Sequence, residues 1–110
     1  GLPDHPDHAL AQRQMGGRAS GILSFGLKNS DADPRAAGAR FLDALGLFTR
    51  LVNIGDAKSL ATHPASTTHR QLNPEELAQA GVSENMVRLS VGIEHINDLQ
   101  ADLAQALDKV

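Results

Sequence analysis

Met86-Val87-Arg88-Leu89-Ser90-Val91-Gly92-Ile93 is the stretch that decides the fold. Val87, Leu89, Val91 and Ile93 alternate with Arg88, Ser90 and Gly92, the period of two that puts apolar side chains on one face of a strand. Directly after it, Ile96, Leu99, Leu103, Leu107 and Val110 recur every three or four residues. Asp98, Gln100, Asp102 and Gln105 fall between them and read as the polar side of an amphipathic helix. An apolar strand face followed at once by an apolar helix stripe predicts a helix laid on a sheet.

Working outward, Gly21 to Leu27 predicts a second strand, with Leu23, Phe25 and Leu27 on one face and Ser24 and Gly26 on the other. Leu51 to Ile54 reads as a short apolar strand closed by Gly55-Asp56, and Ser59 to Thr62 as another. His8 to Met15 reads as a short helix stopped by Gly16-Gly17. Asp33-Pro34 is a cap and first-turn pair. The helix it opens carries Ala37, Phe41, Ala44, Leu45 and Phe48, and ends near Gly46. Asn73-Pro74-Glu75-Glu76 starts a further helix that Gly81 ends. Leu2-Pro3-Asp4-His5-Pro6 and Pro64 to His69 read as loops, and Asn29-Ser30-Asp31 as a polar turn.

Few strands, unevenly interleaved with helices, predict a small α+β domain over residues 1–110: a mostly antiparallel sheet with helices on one face. The other face, with Arg88, Ser90 and Ser24, is then expected to lie open or under a second copy of the chain. In a piece of a larger protein it would wall another domain's active site.

Composition narrows the function classes. Of the 110 residues 41% are hydrophobic and 21% charged, ordinary for a globular chain. Aromatics are only 3%, so the core has to come from Leu, Ile, Val and Ala. A net charge of -3 and the lack of stacking platforms argue against a nucleic-acid partner. No apolar run approaches the roughly 20 residues of a membrane span. The absence of cysteine removes disulfides and thiolate metal sites, which fits a cytoplasmic protein. The sequence opens on Gly1 and its first Met is Met15, as expected of a piece of a longer chain.

Arg88 stands out among residues able to do chemistry, because a rigid strand would present its planar fork to an anion such as a carboxylate. The bland alternative is a solvated surface arginine. His5 and His8, near Asp4 and Asp7, sit in a proline-rich terminus and make no convincing metal site, so no metal is expected. His63 and His69 bracket Ser66-Thr67-Thr68, which reads as a loop held by its own hydrogen bonds, not a catalytic pair. Gly16, Gly17 and Gly21 lack a phosphate-loop pattern. Lys28, Lys58 and Lys109 lack the setting of a Schiff-base lysine. No catalytic residue is expected in this chain.

Three motifs go beyond pattern. Asn53-Ile54-Gly55-Asp56-Ala57-Lys58-Ser59-Leu60, then His63-Pro64-Ala65-Ser66-Thr67-Thr68-His69, then Val87-Arg88-Leu89-Ser90-Val91-Gly92-Ile93-Glu94, occur in the order of the Cys/Met-metabolism family of pyridoxal-phosphate enzymes. His5-Pro6 through Arg13-Gln14, and Gly21-Ile22-Leu23-Ser24-Phe25, resemble the same family. The resemblance implies the C-terminal, substrate-side domain of a fold-type I enzyme, with the cofactor-binding domain and its Schiff-base lysine upstream and absent here. It implies pyridoxal phosphate in the parent, with none expected on this piece. It also implies that Arg88 binds the α-carboxylate of the substrate. Many relatives read S-L-G-G-V-E-S-L where this chain has Asn53 to Leu60, so Asn53 takes the place of a carboxylate-side serine. Asn can donate the same hydrogen bond.

The Asn53–Leu60 and His63–His69 wording is similar to the family's sulfhydrylase branch. Those enzymes use the cofactor as an electron sink to eliminate acetate from O-acetylhomoserine, and sulfide then adds to give homocysteine. The branch implies a homotetrameric parent in methionine biosynthesis. The cystathionine γ-synthase and γ-lyase branches are the alternative within the family. An independent amino-acid-binding module is the alternative outside it.

Overall fold

A computed structural model describes residues 1–28 and 33–110; the Asn29-Ser30-Asp31 turn expected from sequence lies outside the described residues. Among the described residues, β1 (Ile22–Gly26), β2 (Thr49–Arg50), β3 (Leu60–Thr62) and β4 (Met86–Ser90) form one sheet in the order β1-β4-β3-β2. The helices are α1 (His8–Met15), α2 (Pro34–Ala44), α3 (Pro74–Gln79) and α4 (Ile96–Leu107), with a 3-10 turn at Pro64–Ser66. β4 pairs antiparallel with both β1 and β3, and only β2 runs parallel to its neighbour β3. The sheet is therefore mixed and mostly antiparallel, in an α+β domain.

The core follows the alternation read from β4. Val87 and Leu89 are buried with Ala61 of β3, under Phe41 and Leu42 of α2 and Leu99 and Ala106 of α4. Phe25 meets Phe41 edge to face at 6.0 Å between ring centroids. Both long helices cover this one face. β4 stops at Ser90, sooner than its apolar alternation suggests, and Ile93 is 86% exposed. The cause is a close backbone approach: Ile93 N–H donates to Ala57 O, and a Cβ on Gly92 would stand 2.2 Å from that same oxygen. The loop bearing Ala57 pulls the chain out of the sheet.

Two expectations fail here for a shared reason. α2 ends at Ala44, so Phe48 reaches the core from a loop and not from the helix. Leu51 to Ile54 is no strand; the parallel pairing falls on Thr49–Arg50 instead. Parallel neighbours need a crossover, usually a dozen residues or more. Here Leu51 to Ser59 makes it, over the sheet face that α2 and α4 leave uncovered. That face is thus neither open nor sealed by helices: Ser24 is exposed, Arg88 half-buried, and Ser90 buried beneath the crossover.

A smaller cluster of Ala65, Leu77 and Val82 joins α3 to the 3-10 turn, with Leu72 and Met86 against it. The Asn73 side chain accepts from Glu76 N–H while Glu76 accepts from Asn73 N–H, a capping box. Gly81 then takes φ +72° just past the helix. α1 buries no residue.

Gly38, inside α2, costs helix propensity of about 1 kcal/mol against alanine. It is there for a neighbour, because a Cβ would stand 2.3 Å from Nε2 of the fully buried His63. Gly38→Ala should therefore destabilise the fold by about 1–3 kcal/mol in urea unfolding, despite the better propensity. A stabilised Gly38→Ala protein would show that the ring can move aside.

Candidate carboxylate-binding site

Arg88 occupies the middle of β4, opposite Ser24 of β1 and Thr62 of β3. Its side chain points to the crossover face, where Nη2 donates to Val52 O at 2.6 Å. Asn53 follows Val52 directly and is exposed. The crossover therefore brings Arg88 and Asn53 into one neighbourhood from 35 residues apart in sequence. Among the described residues no acid forms an ion pair with Arg88. A planar fork of this kind has the donor geometry that suits a carboxylate, and Asn53 carries an amide donor.

The crossover is gripped at both ends by carboxylates. Before it, Asp102 of α4 accepts from the backbone N–H of Gly46 at 2.7 Å, Leu47 at 2.8 Å and Phe48 at 3.1 Å. Gln105 also donates to Asp102 and to Ala44 O. Burial alone would raise the Asp102 carboxyl, but these donors outweigh it and hold it below the usual carboxylate range. After the crossover, Glu94 accepts from Ser59 N–H and from the Ser59 hydroxyl, both at 2.7 Å. Those two Ser59 hydrogen bonds hold the Glu94 carboxyl low as well. Between the ends, Gly55 N–H donates to Ser90 Oγ at 3.2 Å.

The sequence reading groups Asp102 with the polar residues of α4, yet it is 9% exposed. The signal was present: Asp102 is three residues after Leu99 and four before Ala106, which puts it on the buried stripe. Glu94 and Ser59 carried no comparable periodic signal.

The His63 to His69 segment is tied together by hydrogen bonds of its own side chains. The His63 ring lies 2.7 Å from Glu84 O and 2.8 Å from Ser66 Oγ. A carbonyl only accepts, so Nε2 carries the proton and Nδ1 faces the serine. Thr67 closes the loop by donating to His63 O at 2.9 Å. His5 and His8 gather no ligand partners: among the described residues no group of three or more His, Asp or Glu is placed to hold a metal ion. No helix among them is long and apolar enough to cross a membrane.

Residues 1–108 match the family described as Cys/Met metabolism PLP-dependent enzyme. The chain belongs to that family. It is similar to O-acetyl-L-homoserine sulfhydrylase 1 of Thermus thermophilus, 54% identical over 97% of this chain and 24% of that protein. It is also similar to L-methionine gamma-lyase of Pseudomonas putida, 51% identical over 97% of this chain and 26% of that protein. A Campylobacter jejuni crystal structure containing N'-pyridoxyl-lysine-5'-monophosphate superposes with a TM-score of 0.82, at 42% identity, over 97% of this chain and 24% of that one. The chain thus spans about a quarter of the length of the curated relatives it matches.

The cofactor that gives this family its name requires a lysine for its Schiff base. The lysines of this chain, Lys28, Lys58 and Lys109, are all exposed.

Proposed function

We propose that this chain is the substrate-side domain of a longer pyridoxal-phosphate-dependent O-acetylhomoserine sulfhydrylase, with Arg88 and Asn53 binding the α-carboxylate of the amino-acid substrate. The observation that carries this reading is the guanidinium of Arg88, held on the central strand beside Asn53 with no acidic partner among the described residues. A rigid strand under a pinned crossover keeps the fork in place before substrate arrives, which lowers the entropic cost of orienting the amino acid. The cofactor and its lysine belong to the remainder of the enzyme. On this reading the whole is a cytoplasmic homotetramer of methionine biosynthesis, as the family resemblance implies.

The sulfhydrylase is preferred on the Asn53–Leu60 and His63–His69 wording, supported by the identity to the Thermus protein. Identity to L-methionine gamma-lyase is nearly as high, so γ-elimination is the second reading. The full-length enzyme should form homocysteine from O-acetylhomoserine and sulfide far faster than it releases a thiol from methionine. The reverse ranking would assign the lyase.

The chain alone should be inactive and should hold no cofactor at a defined lysine. Mixed with pyridoxal phosphate and reduced with borohydride, it should show by mass spectrometry only sparse, scattered labelling. One saturable lysine adduct accompanied by activity on O-acetylhomoserine would overturn the assignment.

A further inference from the structure

Resting on that carboxylate-binding reading, we infer that Glu94 is a positioning residue, which through Ser59 holds the crossover against β4 so that Val52 and Asn53 stay beside Arg88. Glu94 touches neither Arg88 nor Asn53 in any described hydrogen bond, so its effect has to pass through the backbone.

The path is continuous. Both Glu94 carboxylate oxygens are engaged, one by Ser59 N–H and the other by the Ser59 hydroxyl, each at 2.7 Å. With its proton committed to Glu94, Ser59 Oγ accepts from Gly92 N–H at 2.8 Å. One fully buried serine therefore joins the end of the crossover to the residues that leave β4. Ser59 O accepts from Thr49 N–H at 2.9 Å, and so ties the end of the crossover to its beginning. Ile93 N–H to Ala57 O at 3.0 Å adds a backbone tie, and the 2.2 Å clearance at Gly92 leaves no room for a side chain between the strands of chain. Asn53 itself is exposed, and none of the described side-chain hydrogen bonds holds it. Its location is set by these anchors on either side.

A charged acceptor suits this post. Hydrogen bonds to an ionised carboxylate are shorter and about twice as strong as neutral ones. A glutamine would offer one acceptor oxygen, and its amide group cannot accept from the second Ser59 donor.

The test uses the full-length enzyme with Glu94→Ala, Glu94→Gln and Ser59→Ala. Glu94→Ala should raise KM for O-acetylhomoserine about 10-fold or more while kcat changes much less. It should also shrink the preference for the amino acid over its decarboxylated amine analogue. Glu94→Gln and Ser59→Ala each keep part of the bridge and should show the same shift at reduced size. A purely structural role would lower the amount of active enzyme, reducing kcat per total protein for both substrates and leaving KM and the preference alone. That result overturns the inference, as does wild-type KM in all three variants. If Glu94→Ala does not fold, the other two variants decide by the same criterion. Arg88→Ala serves as the control. If it retains the carboxylate preference, the carboxylate reading fails and this inference falls with it; if it loses the preference while the Glu94 and Ser59 variants behave as wild type, only this inference is overturned.

Discussion

Asp102→Ala is expected to destabilise the domain by about 2–4 kcal/mol, because it leaves three consecutive backbone N–H groups without their acceptor. Hydrogen bonds to a charged group contribute about 1.5–3 kcal/mol each. Gly46 and Leu47 are exposed enough for water to replace part of that, whereas the Phe48 side chain is core and its N–H is shut in. Against a total stability of about 5–15 kcal/mol, the loss would be evident in a urea titration. Asp102→Asn should recover only part, since the amide group would face an N–H donor. The pH dependence separates charge from shape. The folded state lowers the Asp102 pKa, so its contribution is complete above the unfolded value, about 4, and is lost as pH falls through the folded value. Wild type should lose stability steeply on acidification below about pH 4, and Asp102→Asn should lose it less steeply. Identical slopes would remove the carboxylate from the account.

The second large effect is at Arg88, in the full-length enzyme. Removing one member of a desolvated, hydrogen-bonded charge pair costs about 2–5 kcal/mol. At 1.36 kcal/mol per decade, Arg88→Ala should lower kcat/KM by roughly 30- to several-thousand-fold. Arg88→Lys keeps the charge and loses the planar fork, so it should restore only part of the activity. A mispositioned carboxylate also misaligns the rest of the amino acid, so kcat should fall along with the rise in KM. Cofactor content should be unchanged in both variants, because on the proposed reading the lysine that holds it belongs to the remainder of the enzyme.

Much of this architecture is legible in local pattern, and the exceptions share a cause. β4 and α4 announce themselves because strict alternation and a three-to-four repeat survive any tertiary context. α3 is equally readable, since Asn73, Pro74 and Glu76 carry their own cap. Phe48 and the Leu51–Ile54 segment depart from their local pattern because long-range partners override local preference. Asp102 is 54 residues from Phe48, yet it takes the N–H groups that would otherwise have prolonged α2. An apolar run such as Leu51-Val52-Asn53-Ile54 looks like a strand until the parallel pairing of β2 with β3 forces it to cross the sheet. Arg88 could be singled out as an arginine in mid-strand. The assignment of Asn53 alongside it rests on the family resemblance, because no spacing rule links positions joined only by a crossover. Ser59 and Glu94 both lie within the family motifs, but no spacing rule indicates that they bond to each other.

The carboxylate site is tested most directly by comparing O-acetylhomoserine with its decarboxylated amine analogue on wild-type and Arg88→Ala full-length enzyme. The quantity measured is the ratio of kcat/KM for the two substrates. Wild type should prefer the amino acid strongly, and Arg88→Ala should lose most of that preference while still turning over both compounds slowly. If Arg88→Ala retains the full wild-type ratio, the guanidinium does not read the carboxylate and Arg88 is a surface arginine on a structural strand.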